Sequence, residues 1–315
     1  MTMEKLACLG ILVGDFVTRP VVQIPERGKL TLVETCELHI GGCASNTAVV
    51  AKKLGSTVSV IGKIGQDALG DFVLNALKKE GIEVSRVRIE KNITTSGTAV
   101  LVFPDGERSF LHSIGANSKF TVSDIDFEYL KNFSIVHVAG IFLLPGLEYE
   151  NLKELSMKVK GIGKTLSFDT AWDSTGRWLA VIKDSIPYVD YFFTSLEEAK
   201  MLSKKDDYKD IAKFFIDLGA KNVCLKMGPA GSFITDGKQS QFFPALKVNT
   251  VDSTGAGDAY VAGFLTGILK GYPFLKCGLI ANAVGAMSVT AVGATNGITN
   301  WEDFVSFAKQ HNVEI

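Results

Sequence analysis

The chain has 315 residues, 34.0 kDa, with 33 Lys+Arg against 34 Asp+Glu and 46% hydrophobic residues. That balance excludes an intrinsically disordered chain, and it excludes a nucleic-acid binder held by surplus basic charge. Its 31 glycines follow no collagen period, so they point to tight turns and close backbone approaches.

The first apolar run, residues 6–13, reads as a buried strand. Glu4 precedes it and no small-residue cleavage site follows, so a signal peptide is not expected. Leu30–Ile40 alternates apolar and polar residues with period 2, as a sheet with one wet face does. A helix over 44–54 follows, then a strand over 57–61. The helix over 68–80 has Asp67 as its cap and Gly81 as its stop, with Leu69, Phe72, Val73, Ala76 and Leu77 on one face. Gly97–His112 holds two strand-like runs around the turn Pro104-Asp105-Gly106-Glu107. Further strands are predicted over 135–139, 165–169, 189–194 and 222–227. Further helices are predicted over 148–160, 196–203, 207–218, 257–270, 274–290 and 301–310. Strand–helix alternation of this kind predicts an α/β fold: three α/β/α layers around a mostly parallel sheet. The two period-2 stretches, about 16–40 and 95–115, predict insertions that form a small separate β-sheet. We read 1–315 as one domain.

Cys8, Cys36, Cys43, Cys224 and Cys277 form no C-x-x-C pair, and the histidines at 39, 112, 137 and 311 are scattered. A disulfide framework and a His/Cys metal site are not expected, and a reducing cytoplasm is. Leu279–Ala294 contains Asn282 and is too short for a membrane span. Gly161–Thr165 imitates the end of a phosphate-binding P-loop. However, Lys158 stands where the first Gly is needed, and a strand follows instead of a helix. A dinucleotide fingerprint and a nucleophile elbow are both missing.

The strongest local feature is Asp252-Ser253-Thr254-Gly255-Ala256-Gly257-Asp258 before an apolar helix. Small residues at a helix start leave N–H groups open to an anion, which the helix dipole favours. Asp258 would sit beside that anion, where it can take a proton from an attacking hydroxyl. The same residues would also suit a helix that only needs a dipole complement and close packing. A second feature is Gly41-Gly42-Cys43-Ala44-Ser45-Asn46. Its glycines let a ligand approach, and Asn46 can both donate to and accept from sugar hydroxyls. An ordinary glycine turn is the alternative.

With Gly41–Asn46 and Asp252–Gly263 in order along the chain, the sequence resembles the ribokinase-like (PfkB) carbohydrate kinases almost end to end. The resemblance implies ATP- and Mg²⁺-dependent transfer of a γ-phosphoryl group to a hydroxyl of a small sugar. Asp258 would be the base, and the N–H groups of Gly255, Ala256 and Gly257 the anion hole. Asp15, Gly41, Gly42 and Asn46 would contact the sugar. Ser195, Glu198, Lys226, Gly228, Gly231 and Asn282 would serve ATP, with Ser195 departing from the family's Asn. Asp252, Thr254, Ser288 and Gly293 would surround a monovalent cation such as K⁺. The small sheet would be a lid that closes over substrate and pairs subunits into a homodimer. Val13 and Cys43 replace the Asn and Lys of ribokinase itself, and 141–144 is apolar, which speaks against strict ribose specificity. Phe110, Phe142 and Leu143 would suit a nucleoside, while Arg108 and His112 would suit a keto or acidic sugar. A non-catalytic sugar-binding regulator is the remaining alternative. Neither nucleic acid nor membrane is expected as a partner.

Overall fold

The short buried apolar runs become strands because a parallel sheet covered on both faces can be apolar on both. A computed structural model describes residues 5–104 and 107–315. In chain order its elements are β1 (Lys5–Gly10), β2 (Val13–Arg19), β3 (Thr35–Gly41), α1 (Cys43–Lys53), β4 (Thr57–Gly65), α2 (Ala68–Lys79), β5 (Glu83–Glu90), β6 (Gly97–Val102), β7 (Arg108–Ser113) and α3 (Phe127–Leu130). There follow β8 (Ile135–Ile141), α4 (Glu150–Gly161), β9 (Thr165–Thr170), α5 (Leu179–Ile182), β10 (Tyr191–Ser195), α6 (Leu196–Ser203), α7 (Tyr208–Asp217) and β11 (Val223–Lys226). The chain ends with β12 (Gly231–Thr235), β13 (Ser240–Pro244), α8 (Ala256–Leu269), α9 (Phe274–Ser288) and α10 (Trp301–Gln310).

The main sheet has nine strands in the order β13-β12-β11-β10-β9-β8-β1-β4-β5, and only β12 runs against the others. Alternation along each strand divides the core. Leu6 and Cys8 face α1, α2 and α8–α10, while Ala7 and Leu9 face α4, α6 and α7. Phe193 and Phe192 divide in the same way. This is the three-layer arrangement. Strand order reverses at β1, between β4 and β8, and the carboxyl ends of strands at such a point open a ligand crevice.

A second sheet, β3-β2-β6-β7, stands apart over that crevice. It comes from the two period-2 insertions. Period 2 also sets its two faces. Register places His39, Asp15, Thr98 and His112 side by side across the four strands, pointing inward. The adjoining row, Leu38, Phe16, Ala99 and Leu111, points outward.

Some expectations need correction. The run 6–13 is not one strand. It breaks at Gly10, where a side chain would collide with the Ala139 carbonyl, and from Val13 the chain belongs to the lid. Leu30–Ile40 is a strand only from Thr35, and Leu30 and Leu32 are exposed. Helix α4 starts at Glu150 instead of 148, because Tyr149 at φ 53 lies outside the helical backbone region. Three strands were not anticipated: β5, whose edge position suits its charged EVSRVRIE sequence, and the short hairpin β12–β13. The predicted turn at 104–107 includes Asp105 and Gly106, which lie outside the described residues. No helix among the described residues is long and apolar enough to cross a membrane.

Candidate active site

Helix α8 starts without a side-chain cap. Gly255 holds the cap position at φ 74, a left-handed backbone that glycine adopts at little cost, and Ala294 leaves no room for a Cβ there. The first N–H groups of α8 are therefore not consumed by a capping side chain. Asp258 lies in this first turn, buried. Burial pushes its pKa up, against the bond from Asn46 Nδ2 at 2.8 Å, the charge of Lys226 and a bond from the Cys43 thiol. Asn46 comes from α1, which also starts at an uncapped glycine: Gly42 at φ 91, packed over the Ile11 carbonyl. The two glycine-started helices thus cross so that one amide fixes one carboxylate. Asn46 Oδ1 is buried and has no protein partner, which leaves it free for a ligand hydroxyl.

The carboxyl ends of three neighbouring parallel strands supply the next groups. Asp169 sits near the end of β9, Ser195 at the end of β10 and Lys226 at the end of β11, with Ser195 and Lys226 directly paired in register. Lys226 Nζ lies 2.6 Å from Asp169 Oδ1 and 3.3 Å from where a Cβ on Gly257 would be. It therefore brings an ammonium to the α8 start. Burial would discharge this lysine, yet Asp169, Glu198 and Asp258 hold its pKa above the ordinary value. Burial pushes Asp169 up to about 7 despite that partner. Glu198 is tied into the same corner, with its Oε2 accepting from Thr170 Oγ1 at 2.8 Å and from the Ser195 N–H at 3.1 Å. Ser195 itself caps α6, and its hydroxyl accepts from the Glu198 N–H at 3.3 Å. Its side chain is thus engaged in a capping box.

On the acceptor side, the Asp15 carboxylate lies over Gly41, where any side chain would collide with it. Burial and the charge of Asp258 push the Asp15 pKa up to about 6, against bonds and charge from Thr98 and His39. His112 Nδ1 is 3.0 Å from Thr98 Oγ1, and its Nε2 is buried without a partner. The inner face of the lid also presents Phe110, which is 56% exposed. Phe142 and Leu144 are buried in the core below.

The remaining expected residues divide. Gly228 has open space beside it, whereas Gly231 is tight against the Phe243 carbonyl and shapes the β12–β13 hairpin. The Asn282 amide is engaged at both ends, accepting from Ser232 Oγ at 3.2 Å and donating to the Pro244 carbonyl at 2.9 Å. It ties α9 to the hairpin, with one N–H and one lone pair of the amide used in doing so. For a monovalent cation, the donor set at Asp252 fits poorly. Its Oδ1 accepts from the Thr254 N–H at 2.8 Å and from Arg108 Nη1 at 3.0 Å, and its Oδ2 accepts from the Gly293 N–H at 2.8 Å. Burial works against ionisation there, but these donors hold the Asp252 pKa below the usual range. Ser288 Oγ donates to the Gly285 carbonyl at 2.8 Å. Among the described residues, no three His, Cys, Asp or Glu side chains converge as a metal site.

Sequence reasoning passed over two groups. Asp169 ends a predicted parallel strand, and that position alone could have marked it. Cys43 was noticed only as a departure from Lys, but its thiol touches Asp258.

Comparisons with known proteins give the family and the fold. Residues 3–301 match the description "pfkB family carbohydrate kinase". The chain is 30% identical over 295 residues to 2-dehydro-3-deoxygluconokinase of Bacillus subtilis (strain 168), covering 90% of each. It is 27% identical to aminoimidazole riboside kinase of Salmonella typhimurium, covering 87% of this chain and 89% of that protein. Arabidopsis thaliana ribokinase, solved with ribose and ATP, superposes with a TM-score of 0.84 at 22% identity, covering 97% and 99% of the two chains, which shows the fold. An α/β/α sheet under a four-stranded lid, two signatures meeting at Asn46 and Asp258, and a family match over nearly the whole length lead to one conclusion: the chain belongs to the pfkB family of carbohydrate kinases.

Proposed function

We propose that the protein transfers the γ-phosphoryl group of ATP to a hydroxyl of a small polyhydroxylated sugar held between Asp15, Asn46 and Asp258. The observation that carries this reading is the bond between Asn46 and Asp258, which joins the two signatures at one point. Asp258 would accept the hydroxyl proton. Its raised pKa makes it a better base than a surface aspartate. The N–H groups of Gly255, Ala256 and Gly257, of which that of Ala256 reaches the Ser253 carbonyl at 3.3 Å, would stabilise charge on the transferring phosphoryl with the Lys226 ammonium beside them. Phosphoryl transfer has a loose transition state, so such positioning should dominate. Mg²⁺ would arrive on the triphosphate and supply further charge neutralisation there, with Glu198 ordering its water shell.

A nucleoside acceptor is the second reading, favoured by the exposed Phe110 on the inner lid, where a base could stack. A panel of sugars and nucleosides with ATP and Mg²⁺, read by ADP release, separates the two. Turnover of sugars supports the first reading, and turnover of nucleosides alone replaces it with the second.

Two copies would pair through the outer lid row, whose Phe16, Leu38 and Leu111 are 43%, 37% and 69% exposed. Light scattering of Leu111→Asp against the parent chain tests this, with the variant expected to be monomeric. The five free thiols suit a reducing cytoplasm.

A further inference from the structure

Asp252 poses an electrostatic problem. Its carboxylate braces the loop before α8, holding the N–H of Thr254 on one side and that of Gly293 on the other. That fixes the loop which ends in the anion hole. It also places a negative charge within a few residues of where a polyanion would sit, and this lowers phosphate affinity unless a cation offsets it. Lys226, though beside Gly257, is already paired with Asp169 and has no bond to Asp252.

The offsetting charge comes from the lid. Arg108, the first residue of β7, lies on the inner face of the small sheet. Its guanidinium reaches the Asp252 carboxylate at 3.0 Å and also bonds to the hydroxyls of Ser253 and Thr254. The three partners are consecutive residues, 144 to 146 positions away along the chain. A planar fork with several donors suits such a set, where a lysine would reach it with a single point charge. Arg108 and Asp252 are both mostly buried, with side chains 17% exposed, so solvent screens the pair only in part. A second lid residue lies against the same segment: His39 Nδ1 is 3.9 Å from where a Cβ on Gly293 would be.

We infer that Arg108 is a positioning residue that takes the place of a bound monovalent cation at Asp252, so that closing the lid and completing the charge of the anion hole are a single event. The inference rests on reading Gly255–Gly257 as the phosphate cradle. Because the guanidinium is covalently part of the lid, it is present at Asp252 when the lid is down and withdrawn when the lid lifts. Acceptor binding under the lid would thereby raise the affinity for the triphosphate, and the reverse coupling would be equal in size.

The test compares the parent chain with Arg108→Gln and Arg108→Lys, in K⁺ and in tetramethylammonium at equal ionic strength. Initial rates are measured with whichever acceptor the panel identifies. ATP binding by calorimetry and thermal unfolding are measured alongside. The parent should change by less than about 2-fold between the two cations and show no K⁺-dependent rise in Tm. Arg108→Gln should lose about 10²-fold in kcat, the scale of one lost charge-stabilising group, with weaker ATP binding and a rise in acceptor KM no larger than that loss of ATP affinity. K⁺ should restore part of that loss and raise the variant's Tm. Arg108→Lys should fall between the two. The inference is overturned if the parent is strongly K⁺-activated or if Arg108→Gln keeps its kcat. It is also overturned if the variant loses only acceptor affinity, which would make Arg108 a substrate contact. Should Arg108→Gln fail to fold, Arg108→Lys decides: K⁺ that neither speeds nor stabilises a slowed lysine variant overturns the inference. If no acceptor is turned over at all, it is the kinase reading that fails, while the cation dependence of Tm and of ATP binding still tests Arg108.

Discussion

Two kinds of helix start in this molecule invite comparison. At α2, α6, α7 and α10 a side chain caps the first turn: Asp67, Ser195, Asp207 and Asn300 each accept a backbone N–H. At α1 and α8 the cap position is a glycine with positive φ, and no side chain caps the turn. A capped start satisfies its own N–H groups and stabilises by about 1 kcal/mol. A glycine start forgoes that gain and leaves donors exposed, which makes sense where a ligand completes the helix. The two glycine starts are also the two that touch each other, through Asn46 and Asp258. The difference between a helix end built for stability and one built for a ligand is thus a difference in which atom satisfies the N–H groups.

Substitutions at the two kinds of start should separate cleanly. The largest effect is expected at Asp258→Asn, which keeps size and burial but removes the base. Steady-state kinetics should show kcat reduced about 10²–10⁴-fold with acceptor binding largely intact. Near-parental turnover would remove Asp258 from that role. Gly255→Ala puts a Cβ against Ala294 on a positive-φ backbone, so the loop must shift. A loss of about 10²-fold in kcat, with weaker ATP binding by calorimetry, is expected from a displaced anion hole.

Asn46→Ala sharpens the comparison through pH. The Asn46 bond favours ionised Asp258, and its loss should raise that pKa further. The acid limb of kcat against pH should then move up. A downward move would contradict the assignment. Asp15 carries a related cost. Its pKa in the folded protein is raised to about 6 from 3.8. The corresponding stability is fully present below about pH 4 and is lost as pH rises through 6. Asp15→Asn should therefore raise the stability of the ligand-free protein at pH 8 by about 3 kcal/mol, with the gain vanishing near pH 4, while acceptor affinity falls. The smallest effect belongs to a capped start. Asp207→Ala should lower stability by about 1 kcal/mol, a few degrees in Tm, and leave kcat unchanged. A large kinetic effect there would break the distinction between the two kinds of helix start.

Much of this could be read in the sequence, and the physical reasons are specific. Alternation of apolar runs marked the layers because buried strands and amphipathic helices have different periods. Period 2 marked the lid because only its inner face meets the crevice. The glycine pairs marked the two starts because few other residues tolerate that backbone beside a ligand. What could not be read depended on distance along the chain. Nothing local in Asp169 announces Lys226, 57 residues away, or in Arg108 announces Asp252, 144 residues away. The engaged amide of Asn282 was hidden for the same reason, because a side chain's availability depends on what folds against it, whereas the Ser195 cap is local, its partner Glu198 lying three residues on. Residues 6–13 were misread because one apolar run serves two sheets, divided by the close approach of Gly10 to Ala139.

The most direct test is a crystal structure with a non-hydrolysable ATP analogue and the acceptor. The account predicts the terminal phosphate on the N–H groups of Gly255, Ala256 and Gly257, with Lys226 beside it. The reacting hydroxyl should lie between that phosphate and the Asp258 carboxylate. A terminal phosphate bound elsewhere, or an acceptor whose hydroxyls do not reach Asp258, would contradict it.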